Sequence, residues 1–165
     1  MSADYNEYFA RYIGLVNDND LLTAIEVNHK AFLDIVSLIS EEKSSYRYAD
    51  DKWSIKELIS HIIDTERIFA YRALRFSRND KTELTGYDEN HFASFCGADL
   101  RSLADLIHEF DVTRQSTFAL YKSFDRTMLE RSGSANGIKI DVTSMGYLIA
   151  GHCQHHINIL KERYL

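Results

Sequence analysis

The chain contains no proline and only two cysteines among its 165 residues. At ordinary usage of ~5% a chain of this length would hold roughly eight prolines, so the commonest helix breaker is missing; loop-rich, low-complexity and collagen-like architectures are disfavoured. Cys96 and Cys153 lack CxxC spacing. They build neither a disulfide framework nor a zinc ribbon, and they fit a reducing cytoplasm. The seven glycines do not cluster, and no P-loop, GxGxxG or GxSxG occurs. HExxH is absent too, which removes the adjacent helical glutamate that zinc proteases use as general base. No apolar run approaches the ~18 residues that span a bilayer, and residues 1–7 lack both the positive and the apolar region of a signal peptide. A cytoplasmic protein with no membrane partner is expected. Nor is there a basic excess: 25 acidic against 19 basic residues give a net charge of −6, so nucleic acid is not an expected partner.

What the chain does have is helical periodicity. Its length suits one globular domain spanning residues 1–165, with no internal repeat or shift in composition. A first long helix is expected over about residues 20–39, where Leu22, Ile25, Phe32, Val36 and Ile39 recur, after a short aromatic-rich piece at 5–16. A second opens at Ser54-Ile55-Lys56-Glu57, which has capping-box spacing, with Trp53 placed to staple against Leu58. Its stripe runs through Ile62, Phe69, Ala73 and Phe76 to an end near residues 77–80, a rod of roughly 35 Å. A third is expected over about 99–124 and a fourth from about 143 to the C-terminus. Asn136-Gly137 before Ile138 and Ile140 predicts a tight hairpin, and a short helical turn is expected around 90–95. The pattern predicts an all-α four-helix bundle with short extra helices in its connections, and the long 80–98 connection lets the second and third helices run parallel.

Polar residues on apolar faces carry the chemical information, because a buried polar group without a partner costs a few kcal/mol. The fourth stripe runs Met145, Leu148, Ile149, His152, His156, Ile159. Histidines four apart lie one above the other and can aim nitrogens at one point, as in HxxxH metal sites. His152 and His155 could converge as well, though the stripe centre favours His156. His61, beside Leu58 and Ile62, can face the same interior. Three imidazoles from two helices would make a site with an open position, suited to Zn²⁺, Ni²⁺, Fe²⁺ or Mn²⁺. His61 alone reads first as a hydrogen-bonded core residue and only second as a ligand, whereas the His152/His156 pair favours metal. Arg114 falls on the apolar face of the third helix, with Glu66 and Arg72 near the inward side of the second. A buried ion pair of Arg114 with Glu66 or another carboxylate is expected, ahead of substrate-carboxylate binding by an arginine. Asp64 and Glu57 read as solvated, His91 and His108 as surface, and His29 as a core or rim residue. Cys153 points away from its histidine neighbours and is not counted as a ligand.

Several stretches together resemble the DinB-like (DinB/YfiT) superfamily. They are Lys52-Trp53-Ser54-Ile55-Lys56-Glu57-Leu58 leading to His61, then Asp64-Thr65-Glu66-Arg67-Ile68-Phe69-Ala70-Tyr71-Arg72-Ala73-Leu74, Gly86-Tyr87-Asp88-Glu89, Glu109-Phe110 with Arg114, and Tyr147-Leu148-Ile149-Ala150-Gly151-His152-Cys153-Gln154-His155-His156. The resemblance implies an up-down-down-up bundle, frequently a homodimer, that holds a divalent metal on three histidines. Carried over position by position, the metal ligands are His61, His152 and His156, with His155 a neighbour. The chain departs from the family at Leu84-Thr85-Gly86-Tyr87, where members often have proline in place of Thr85. Characterised relatives include transferases that use low-molecular-weight thiols and mycothiol-dependent isomerases. The resulting expectation is a metal-dependent enzyme, with zinc or nickel ahead of manganese or iron, acting on a small molecule as a thiol-dependent S-transferase or hydrolase. The alternative is a non-catalytic, stress-related metal- or ligand-binding bundle.

Overall fold

The computed structural model describes residues 7–165. The helices start where the sequence supplies caps. The aromatic-rich piece becomes α1 (Glu7–Ile13), its first two expected residues lying outside the described residues. Asp20 caps α2 (Leu21–Val36), its carboxylate accepting from the Thr23 N–H at 2.8 Å. Ser54 opens α3 (Ile55–Ser77) with the full capping box: Ser54 Oγ accepts from the Glu57 N–H at 3.1 Å, and the Glu57 carboxylate accepts from the Ser54 N–H at 2.7 Å. The connection that follows holds α4 (Glu89–Phe95) and a 3₁₀ turn at Ala98–Leu100. Helix α5 (Leu103–Lys122) starts later than the expected residue 99, because Arg101 is extended and Ser102 is the residue that caps. A short α6 (Arg126–Glu130), which periodicity over so few residues does not reveal, leads into β1 (Ser132–Ala135) and β2 (Ile138–Asp141). The hairpin turns through Asn136 and Gly137 at φ 53° and 74°, the left-handed pair that a two-residue turn between twisted strands requires. Asp141 then caps α7 (Val142–Ile159), which ends in a π turn at Leu160–Tyr164.

Contacts along the helices fix their directions. Ser54 meets Asp99, Arg67 meets Glu109 and Glu66 meets Arg114, so α3 and α5 run parallel. Tyr147 donates to the Asn19 carbonyl and Asn28 to Gln154, so α2 and α7 also run parallel. Phe32 stacks on Phe110 while Ile25 and Asn28 meet Arg114, which sets α2 antiparallel to α5. The Tyr164 hydroxyl donates to the Trp53 carbonyl at 2.7 Å, near the start of α3, which sets α7 antiparallel to α3. The result is a four-helix bundle of up-down-down-up topology with the small hairpin at one end.

The apolar interior comes in two parts. One gathers Phe32, Ile59, Ile63, Phe110 and Ile157; the other gathers Ile25, Phe76, Tyr121, Met145 and Ile149. Along each long helix a buried polar residue separates them: Asn28 on α2, Glu66 on α3, Arg114 on α5 and His152 on α7. These four residues form one polar level across the bundle. Among the described residues no helix is long and apolar enough to cross a membrane.

Candidate metal centre

Helix α3 contributes His61, and α7 contributes His152 and His156 from one face. The three rings are 6–8% exposed. The His61 and His156 Nε2 atoms lie 3.0 and 3.1 Å from His152 Nε2, and the three ligand atoms fall within 4.8 Å of one another. An imidazole nitrogen carries either one proton or one lone pair in its plane, so it can form one good hydrogen bond. His152 Nε2 faces two nitrogens at once. A hydrogen-bonded core explains at most one of these contacts, whereas three lone pairs aimed at a common point suit a divalent cation.

Electrostatics favour the same donor set. Burial, reinforced by charge on neighbouring histidines, pushes the His61 imidazole down to about 4 and those of His152 and His156 well below 6.5. All three are neutral near pH 7, the state a metal ligand requires. Among the described residues His156 Nδ1 is buried with no hydrogen-bond partner, so packing rather than a polar second contact orients that ring. The Trp53 indole packs on His61 with 4.6 Å between ring centroids. A residue expected as a staple thus also braces a candidate ligand.

The remaining histidines stay outside the cluster. His155, half-buried, packs edge-on against Tyr12 at 5.2 Å. His29 Nε2 lies 2.8 Å from Asp111 Oδ1, and His91 and His108 are exposed. On one side of the cluster His152 lines a cavity of about 320 Å³, walled also by Tyr12, Thr65, Phe69, Arg72 and Tyr87. That is the size of a small-molecule site.

The model of the DinB superfamily matches residues 24–160. The chain belongs to the DinB superfamily. No curated protein matches it significantly. Among solved structures, YfiT from Bacillus subtilis, a probable metal-dependent hydrolase with an unusual four-helix bundle topology, aligns over 98% of this chain and 89% of its own, at 14% identity and a TM-score of 0.76. The mycothiol-dependent maleylpyruvate isomerase aligns over 84% of this chain at 10% identity and a TM-score of 0.71, the match spanning 58% of that protein. At such identities the likeness is one of fold.

Beside the histidines, this DinB chain carries a four-helix junction centred on Arg114. Its guanidinium, 0% exposed, donates to Glu66 on α3 from Nε at 2.9 and 3.0 Å and from a terminal nitrogen at 2.8 Å. The other terminal nitrogen donates to Asn28 on α2 at 2.9 Å. Cys153 on α7 also meets Arg114, yet burial pushes its thiol up to about 12, leaving no nucleophilic thiolate at neutral pH. The expected Arg114–Glu66 pair is present. Two expectations need correction. Glu57 is folded back into the capping box and held by Arg47, its side chain only 16% exposed, and Asp64 is half-buried, its carboxyl pushed up by desolvation. Sequence reasoning passed over Asn28, although its spacing from Ile25 and Phe32 puts it on the α2 stripe. It also missed the part-buried Thr65–Tyr87 hydroxyl pair, 2.6 Å apart, which joins a helix to a distant loop and leaves no periodic signal.

Proposed function

We propose that this protein is a metal-dependent enzyme in which His61, His152 and His156 hold a divalent cation, zinc or nickel, and the adjoining cavity takes a small-molecule substrate. The observation that carries the reading is the convergence of three neutral, buried imidazole nitrogens on one point beside an open cavity. A bound cation at such a site lowers the pKa of a coordinated water or thiol, which supplies a hydroxide for hydrolysis or a thiolate for transfer at neutral pH. The chain's own residues do the rest. Burial keeps the three rings unprotonated and available as donors. Trp53 and the packing of α7 fix their orientation, and Phe69 and Tyr12 present an apolar wall to the substrate.

Thiol-dependent transfer is the preferred reaction, with hydrolysis second. The fold shared with a mycothiol-dependent isomerase supports the use of a thiol, and the fold shared with YfiT, a probable metal-dependent hydrolase, supports hydrolysis. Support for a catalytic rather than a purely structural site comes from the ligand count. Structural zinc sites close with four protein ligands, while neither His155 nor His29 joins the three here. The test is elemental analysis of protein purified without a histidine tag, beside a His156→Ala variant. About one metal per chain is expected in the parent and a large loss in the variant; full stoichiometry in His156→Ala contradicts the assignment. Conjugation assays with electrophiles and glutathione, bacillithiol or mycothiol then test the reaction. Absence of turnover with all three, in metal-loaded protein, removes the transferase reading.

A further inference from the structure

Among the described residues three cationic side chains are buried: Lys56, Arg72 and Arg114. Two of them have carboxylates. Lys56 pairs with Glu41, and Arg114 with Glu66. Arg72, 6% exposed, forms no ion pair among the described residues; its one polar bond runs from a terminal nitrogen to the Thr85 carbonyl at 3.0 Å. A guanidinium keeps its charge even when desolvated, and a buried charge without a counter-charge is costly. Arg72 also lines the cavity that reaches His152. Among the described residues the one carboxylate on the wall of that cavity is Glu89, which is exposed and not paired with Arg72.

The position of Arg72 in α3 gives the vacant counter-charge a direction. His61, Thr65, Phe69 and Arg72 follow each other at steps of four, four and three, so they form one stripe of the helix. Phe69 sits between the two ends of that stripe. Its ring is 5.7 Å from the Arg72 guanidinium carbon and 6.2 Å from the His152 ring. Arg72 lies eleven residue steps along the helix from His61, about 16 Å of rise, and helical side chains lean toward the N-terminus, which brings Arg72 back toward the histidines. A ligand in the cavity can therefore present an anionic end to Arg72, an apolar stretch to Phe69 and a reacting end to the histidine cluster.

We propose that the substrate carries a carboxylate, and that Arg72 is the specificity residue that binds it. The reacting end relies on the metal reading above; the carboxylate end does not. A fork of N–H donors facing a carboxylate out of bulk water is worth roughly 10- to 100-fold in affinity.

The experiment titrates straight-chain carboxylates from butyrate to decanoate, each beside its neutral amide, into metal-free and zinc-loaded protein by calorimetry. The parent is compared with Arg72→Gln and Arg72→Lys. For at least one chain length the metal-free parent is expected to bind the carboxylate roughly 10-fold or more tightly than the amide. Arg72→Gln loses this preference and Arg72→Lys keeps part of it. Equal binding of carboxylate and amide at every length overturns the proposal, and so does a preference that survives Arg72→Gln. A preference confined to zinc-loaded protein and unchanged in Arg72→Gln places the anion on the metal, which sinks the role of Arg72 while sparing the metal reading. Protein that binds no zinc yet shows the Arg72-dependent preference has the opposite meaning. If either variant fails to fold, the Arg72 Nε–H resonance of the parent, followed by NMR during the same titration, decides: it shifts with carboxylate and not with amide, and an unmoved resonance overturns the proposal.

Discussion

Replacing Arg114 with methionine tests the four-helix junction most directly. The substitution keeps an unbranched side chain of similar length but leaves the Glu66 carboxylate, 3% exposed, without the three guanidinium bonds it accepts. The Asn28 side-chain oxygen loses its guanidinium donor at the same time, while its amide keeps Gln154. Breaking a buried pair by removing one member costs about 3–5 kcal/mol, because the remaining charge is stranded. For a domain of this size each kcal/mol lowers Tm by about 2–4 °C, so the melting temperature should fall by roughly 6–20 °C. Urea denaturation followed by helical circular dichroism measures the loss. The double variant Glu66→Met with Arg114→Met should recover most of it, since an apolar replacement of both members strands no charge. A loss below about 1 kcal/mol in the single variant, the level of a surface pair, would refute the reasoning. A double variant no more stable than the single would show that shape, and not the stranded charge, sets the cost.

Metal-free protein should lose stability on acidification. A ring whose folded pKa is depressed binds protons more readily in the unfolded chain, so its contribution is present above about 6.5 and is lost as pH falls from there toward 4. For His61 the span from 6.5 to about 4 corresponds to about 3 kcal/mol, and His152 and His156 act in the same direction. Urea midpoints that do not move between pH 7 and pH 4.5 would contradict neutral burial of the cluster. Gly151→Ala should loosen α1, because a Cβ there would meet the Tyr12 carbonyl oxygen at 2.0 Å and backbone cannot give way locally. A loss of about 1–3 kcal/mol and faster amide exchange in α1 are expected, and unchanged exchange would show that the two helices do not pack as described. Native protein treated with a thiol reagent should be labelled at half-buried Cys96 well before Cys153, whose thiol is buried and pushed up to about 12; equal labelling rates before unfolding would contradict that burial.

Much of this was legible in the sequence because it rests on local physics. The Ser54 and Glu57 capping box depends on three residues of separation, the Asn136-Gly137 turn on two left-handed positions, and the four long stripes on a 3.6-residue period. His152 and His156 are neighbours on one helix for the same reason, so their convergence needs no tertiary information. Where local signals are thin, tertiary contacts decide. The α5 start moved from residue 99 to Leu103 because Ser102 wins the cap, and α6, only five residues long, carries too little period to see. The linear pattern marks Glu57 and Asp64 as solvated because it does not contain Arg47 or the packing around α3, on which their exposure depends.

The sequence by itself therefore determined which residues face inward and which helices they sit on, since helical phase follows from spacing alone. Only the tertiary structure decided which inward residues meet. His61 is 91 residues from His152, Glu66 is 48 from Arg114, and Arg72 lines a cavity where the other buried cations, Lys56 and Arg114, have carboxylates. Those pairings depend on the parallel or antiparallel setting of whole helices, and that setting is fixed by burial summed over two apolar clusters rather than by any one stretch of chain.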